Sequence, residues 1–372
     1  MAVEQARCPA NAIRAILRWE NPPRMARLLT RGSALSGTPS NPATCDLAMV
    51  PFRKGAAPRP PSITVFAVEL GSATTTATWH LYQRLSSVRC YARDGTALSP
   101  AQRTYPVVIL SPGLGMQPTD YTALAEELAS YGYVVAGLFH TYSTPVVVFS
   151  DGRLVGSTPK GRLTHDLEDE LLQVWSVDIK STIDEMDRLN NDQHSQFGAR
   201  LSSERGIMGH SFGGTAAVAA CNGDTRCTAV VDLDGTLYGS AATAQLQCPV
   251  MFLMGTPYVP PNLPVFRRSR ALIEETRARD QREIEKVMSH SQRGYRVTVV
   301  RLLHMQFSDS TLFFDPGDAI AKLAGNELDG LRAHTITSSY VRAFFDVYLR
   351  HVPGAQLQLG SPSFPEARVI TQ

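Results

Sequence analysis

Hydrophobic positions in this chain follow two rhythms. Between Val107 and Leu302, short unbroken apolar runs alternate with longer segments in which apolar residues recur at helical spacing. The runs are Val107–Leu110, Val134–Leu138, Gly206–Met208, Ala229–Val231, Val250–Leu253 and Val297–Leu302. Continuous apolarity over a few residues is what a strand covered on both faces requires, so the runs predict parallel strands inside a sheet. Helices are expected over Tyr121–Tyr131, Asp166–Asn190, Thr215–Cys221, Ser269–Met288 and Thr337–His351. The alternation predicts an α/β class, with a mostly parallel central sheet flanked by helices.

The ends of the chain read differently. Residues 1–60 are rich in Pro, Arg, Ser and Thr and carry only a weak helical pattern around Ala12 to Trp19. They are expected to form a poorly ordered leader, with one α/β domain over residues 61–372. Ile63–Val68 and the alternating Trp79, Leu81 and Val88 have the β-branched and aromatic content of strands, and predict at least two opening antiparallel strands. The segment Pro257–Pro264 is too proline-rich for either regular state and reads as a surface loop.

Composition narrows the function classes. With 372 residues and 43% hydrophobic content, the chain can build one large core. A formal net charge of +2 gives no nucleic-acid-binding excess and fits a small or neutral substrate. No stretch of about 18 apolar residues is present to span a bilayer. Arg14, Arg18, Glu20, Arg24 and Arg27 interrupt the first forty residues, so the unbroken apolar centre of a secretory signal is missing; the chain as written reads as cytoplasmic, and as secreted if its true start lies elsewhere. Six cysteines occupy positions 8, 45, 90, 221, 227 and 248. Cys221 and Cys227 can close a small disulfide across a turn or stay as two buried thiols, and both readings stand. No metal-ligand spacing is present, and no metal or cofactor is expected.

The candidate chemistry begins at Gly209-His-Ser211-Phe-Gly213-Gly214, which directly follows an apolar run and directly precedes an Ala/Val-rich helix. A serine at a strained strand-to-helix turn projects its hydroxyl, while Gly209 and Gly213 let neighbouring elements pack close. The helix after Ser211 also aims unpaired N–H groups at an oxyanion formed there. Serine needs a base, and His304 follows the last strand run. His290, at the end of a charged helix, is its weaker rival. The orienting acid commonly follows the strand before the one bearing the histidine, yet no carboxylate appears between Met254 and Glu274. One strand earlier, Asp234 stands at the tip of Ala229-Val-Val-Asp232-Leu-Asp234-Gly235 and is the expected acid. Asp232, two residues deeper, is the runner-up, and a buried cap or turn former is the plain role for either. For the oxyanion hole, the amide of Phe212 and a second amide at Leu114 are expected, the latter in the glycine-flanked turn Ser111-Pro112-Gly113-Leu114-Gly115.

Taken in order, Ser111-Pro-Gly-Leu-Gly115, Gly209-His-Ser-Phe-Gly-Gly214, Asp232-Leu-Asp-Gly-Thr-Leu-Tyr238 and His304-Met-Gln-Phe-Ser-Asp309 resemble the plasma-type platelet-activating-factor acetylhydrolases and their microbial relatives. The segment His140–Arg153 is similar to the microbial branch. The resemblance spans roughly Tyr105 to Leu349, and departs at Pro112, where mammalian members have the histidine of a His-Gly pair. It implies the α/β-hydrolase fold and a calcium-independent esterase that removes short acyl groups from the sn-2 position of phospholipids such as 1-alkyl-2-acetylglycerophosphocholine. By motif it assigns nucleophile, acid and base to Ser211, Asp234 and His304, and the oxyanion amides to Leu114 and Phe212. The expected partner is a small-molecule or phospholipid ester. Two rivals stand beside this reading: a broader carboxylesterase acting on aryl or polymer esters, and a non-catalytic hydrolase-like binding protein.

Overall fold

Along Tyr105–Ser111 every residue is buried, yet alternate side chains enter different cores. Val107 and Ile109 join one apolar cluster, and Val108 and Leu110 join another. That is the pleat of a strand sandwiched between two helical layers, and it explains why the sequence shows an unbroken apolar run there. The structure is a computed structural model that describes residues 13–18, 46–58, 89–92, 97–149, 153–157, 165–256, 267–312, 328–352 and 364–372.

The strands in chain order are β1 (Ile13–Arg18), β2 (Asp46–Pro58), β3 (Arg89–Ala92), β4 (Tyr105–Ser111), β5 (Val134–Gly137), β6 (Val146–Val148), β7 (Leu154–Gly156), β8 (Leu201–His210), β9 (Ala229–Leu233), β10 (Val250–Thr256), β11 (Gly294–Val300) and β12 (Ala367–Thr371). The helices are α1 (Thr122–Ser130), α2 (His165–Asn191), α3 (Phe212–Cys221), the one-turn α4 (Gly239–Ala242), α5 (Arg267–Ser289) and α6 (Gly330–Tyr348). Among the described residues the main sheet has ten strands, in the order β12-β11-β10-β9-β8-β4-β5-β1-β2-β3. Neighbours from β11 through β5 to β1 pair in parallel, whereas β12, β2 and β3 pair antiparallel at the two edges. β6 and β7 form a separate antiparallel hairpin.

One face of the sheet carries α2, α3 and α5 through Trp175, Ile179, Ile183, Ala216 and Val287. The other carries α1 and α6 through Leu124, Leu128, Val341, Phe344 and Phe345. Each of the six apolar runs is a parallel strand, and each of the five expected helices is found, with α3 starting three and α6 seven residues earlier than expected.

Three differences have physical causes. Ile13–Arg18 pairs with β2 and touches β5 as strand β1, so ladder bonding prevails over the weak helical pattern read around Ala12 to Trp19. Both β1 and β2 fall within the stretch 1–60 that is expected to form a poorly ordered leader. The edge strand β12 has alternating exposure and no apolar run to announce it. The strands expected over Ile63–Val68 and Trp79–Val88, and the loop expected at Pro257–Pro264, lie outside the described residues. Cys221 and Cys227 are joined by a disulfide with a Cα–Cα separation of 5.6 Å, closing the turn after α3. Cys248 is a buried free thiol, pushed up to about 12 by burial.

Candidate active site

Parallel pairing brings the carboxyl ends of β4, β8, β9 and β10 to one rim, with Ser111 opposite Gly209, His210 opposite Leu233, and Leu233 opposite Leu253. Ligands of open α/β sheets bind at this rim. Ser211 sits between β8 and α3 with φ 56° and ψ −125°, outside the regions that L-residues favour. The surroundings hold it there. Its amide donates to the Leu233 carbonyl at 2.8 Å, and a side chain at Gly209 or Gly213 would collide with backbone atoms of Gly213 and of Ser111 and Pro112 respectively. The two glycines therefore permit the close crossing of the elbow under the turn that leaves β4.

Two distant positions, His304 and Asp234, converge on the Ser211 hydroxyl. His304, in a one-turn 3-10 helix after β11, places Nε2 at 2.9 Å from Ser211 Oγ. Its Nδ1 lies 2.7 Å from Asp234 Oδ2. Asp234 leaves β9 with φ 57°, which turns its carboxylate outward, and its other oxygen accepts from the Gly255 amide at 2.8 Å. Asp232 goes the other way. It is fully buried behind the elbow, accepts from the Gly235 amide at 2.8 Å, and makes no contact with His304. Burial, reinforced by the charge of Asp234, pushes its carboxyl up to about 8, so it is protonated at neutral pH. The turn-forming role falls to Asp232. His290 is also distant in function: its ring accompanies the Lys286 carbonyl at the exposed end of α5.

The turn after β4 offers one amide. Gly113 N–H donates to Tyr121 Oη, Gly115 N–H to the Ser143 carbonyl, and Met116 N–H to the Gly113 carbonyl. Pro112 has none, so the Leu114 amide is the one in this turn without a partner among the described residues. Phe212 is the first residue of α3, where helical geometry leaves the amide unpaired and the dipole favours negative charge.

One network escaped the sequence reading. His210 Nε2 lies 2.9 Å from the His304 carbonyl, which can only accept, so Nε2 carries the proton. Its Nδ1 then accepts from Tyr121 Oη at 2.7 Å. The result is a buried line of hydrogen bonds from the Gly113 amide through Tyr121 and His210 to the backbone of His304. Burial and the neighbouring His304 hold His210 at about 3, so it offers no competing charge to an imidazolium at position 304, whose ring centroid is 4.6 Å away. Tyr121 lies 89 residues from His210, and no local pattern announces the pair. Among the described residues no group of three or more His, Cys, Asp and Glu side chains is arranged to hold a metal ion, and no helix is long and apolar enough to cross a membrane.

This architecture is an α/β-hydrolase fold. The solved structure titled ferulic acid esterase from Streptomyces cinnamoneus superposes with a TM-score of 0.68 at 24% identity, covering 99% of this chain and 98% of that one. The family model described as platelet-activating factor acetylhydrolase, isoform II, matches residues 66–155. A probable 1-alkyl-2-acetylglycerophosphocholine esterase from Arthroderma benhamiae is 28% identical over 143 residues, which are 38% of this chain and 34% of that protein. The platelet-activating factor acetylhydrolase of Cavia porcellus is 25% identical over 288 residues, which are 71% of this chain and 62% of that one. The chain thus resembles the platelet-activating factor acetylhydrolases, while matching about a third and under two thirds of the length of these two relatives.

Proposed function

We propose that this protein is a serine-dependent carboxylic ester hydrolase, and that its substrate is a short-acyl ester of the platelet-activating-factor type, cleaved at sn-2. The observation that carries the reading is the unbroken line Asp234–His304–Ser211, with separations of 2.7 and 2.9 Å, ending beside the unpaired amide of Leu114. In this scheme Ser211 Oγ attacks the ester carbonyl carbon while its proton moves to His304 Nε2. The carbonyl electron pair shifts to oxygen, where the amides of Leu114 and Phe212 stabilise it. The C–O bond to the alcohol then breaks, and the alcohol leaves with the proton from His304. Water repeats the sequence on the acyl-enzyme, releasing the carboxylic acid and restoring Ser211. Asp234 holds the ring in the required tautomer and stabilises its positive charge.

The resemblance to acetylhydrolases in sequence supports the phospholipid substrate. The full-length likeness to a structure titled ferulic acid esterase favours a second reading, a broader esterase that takes aryl esters. Fluorophosphonate labelling with peptide mapping, on wild type and on Ser211→Ala, tests the shared chemistry. Label is expected at Ser211 alone, and a wild type that neither labels nor cleaves an activated ester is a binding protein instead. Rates on an sn-2 acetyl phospholipid, an acyl-chain series and a feruloyl ester then separate the substrates. Inactivity on the phospholipid removes the first.

A further inference from the structure

Behind the candidate site lies a second serine, histidine and aspartate joined in the same order. Ser111 Oγ is 3.0 Å from His140 Nε2, and His140 Nδ1 is 2.8 Å from Asp178 Oδ2. Ser111 ends β4, His140 follows β5, and Asp178 belongs to α2. All three are buried, with Ser111 and His140 at 0% exposure, so no substrate reaches this serine. With the His140 proton on Nδ1, the ring donates to Asp178 and its Nε2 accepts from the Ser111 hydroxyl, which closes the line of bonds.

The placement of this line points to its use. Ser111 is the last strand residue before Pro112-Gly113-Leu114, so anchoring its side chain anchors the root of the turn that presents the Leu114 amide. The other face of the His140 ring stacks on Trp175, with centroids 3.6 Å apart and planes 7° from parallel. Trp175 in turn packs T-shaped against the Phe212 ring, with centroids 4.7 Å apart, and its Nε1–H donates to Ser143 Oγ at 3.3 Å. The Ser143 carbonyl accepts from the Gly115 amide. One imidazole thus connects to the turn bearing Leu114 from below, through Ser111, and from the side, through Trp175 and Ser143. It also connects to Phe212. Burying a carboxyl and an imidazole without solvent is costly, and the burial of Asp178 raises its carboxyl. A purely apolar filling of this space would be the less costly way to make a core.

We propose that Ser111, His140 and Asp178, with Trp175 stacked on them, are positioning residues that hold the amides of Leu114 and Phe212 in register to receive an oxyanion. The proposal rests on the acyl-transfer reading above. Oxyanion stabilisation requires donors fixed at about 2.7–3.1 Å from a developing charge, so displacement of the turn by a fraction of an ångström is felt in turnover before it is felt in binding.

The test uses the full chain and two substrates, p-nitrophenyl acetate and p-nitrophenyl thionoacetate. Sulfur accepts hydrogen bonds weakly, so a working oxyanion hole favours the oxygen ester, and the ratio of the two rates is independent of how much enzyme is folded. For Ser111→Ala, kcat on the oxygen ester is expected to fall by about 10–100-fold with KM within about threefold, because one positioning bond, not an amide itself, is lost. The oxygen-to-sulfur rate ratio is expected to fall by about tenfold. His140→Gln, which keeps polar atoms in the space, serves as the second variant and should move the ratio in the same direction. Equal losses on both esters, or an unchanged kcat in variants that stay folded by circular dichroism, overturn the positioning role. A wild type inactive on both esters overturns the acyl-transfer reading on which it rests.

Discussion

The two serine, histidine and aspartate sets differ in almost nothing that a distance can measure. Hydroxyl to imidazole is 2.9 Å in one and 3.0 Å in the other, and imidazole to carboxylate is 2.7 Å and 2.8 Å. They differ in access and in backbone. The His304 side chain is 47% exposed and that of His140 is 0% exposed. Ser211 stands on a strained turn with a helix N-terminus behind it, whereas Ser111 is the last residue of a regular strand. The comparison teaches that the hydrogen-bonded trio is a versatile way to fix an imidazole. In the proposed function, the elbow, the neighbouring unpaired amides and an open approach are what distinguish the exposed trio as the reactive one.

The largest effect that would break this contrast concerns the exposed set. Ser211→Ala and His304→Ala are each expected to lower turnover by ~10³-fold or more, measured with p-nitrophenyl acetate. A loss under tenfold in either would place the reactive group elsewhere. Next comes a comparison of two aspartates two positions apart. Asp234→Asn should cost ~10³-fold or more in kcat, since the ring loses the partner that selects its tautomer. Asp232→Asn, which touches no catalytic group, should cost under about tenfold. A reversed order would exchange their roles.

The Asp232→Asn variant also carries a signature in pH. Unfolded, this carboxyl releases its proton near 3.8, and folded it keeps the proton until about 8. Across that window the unfolded state binds fewer protons, so Asp232 makes wild-type stability fall as pH rises. Asparagine does not titrate, so the melting temperature of the variant relative to wild type should rise between about pH 4 and pH 8. A flat difference across that range would show that Asp232 is ionised in the fold.

Smaller still is Tyr121→Phe, which removes the hydroxyl linking Gly113 to His210 and leaves two buried polar atoms unpaired. A loss of about 1–3 kcal/mol in urea denaturation is expected, with a lesser fall in kcat than for Ser111→Ala. The smallest functional effect belongs to the Cys221–Cys227 disulfide. Its sequence separation of 6 implies that reduction costs about 2 kcal/mol of stability, and hydrolysis of p-nitrophenyl acetate should be unchanged at 25 °C. Loss of activity on reduction would tie α3 packing directly to the elbow.

Much of the fold was legible because its demands are local. A strand buried on both faces must be apolar at every position, which is why Val107–Leu110 and Val250–Leu253 stand out in the chain. The elbow was legible for the same reason, since Gly209 and Gly213 answer a close backbone crossing within five residues of one another. Strands β12 and β1 were not. β12 needs only one buried face, and β1 is held by pairing across the sheet.

Chain order was enough to bring Ser211, His304 and Asp234 forward as candidates, but Asp232 and Asp234 look alike in a string of letters. Their separation was made by the turn at φ 57°, which swings one carboxylate toward His304 while the other stays under the elbow. Ser111, His140 and Asp178 carry no local mark at all, being 29 and 38 residues apart along the chain. The alternation of central strands and helices and the turn that bears Ser211 follow from the amino-acid sequence alone, because burial and tight turns constrain neighbouring residues. Which polar groups meet in the interior was decided only by the tertiary structure, because a hydrogen-bond partner is set by position in space and strands distant in sequence lie side by side in the sheet.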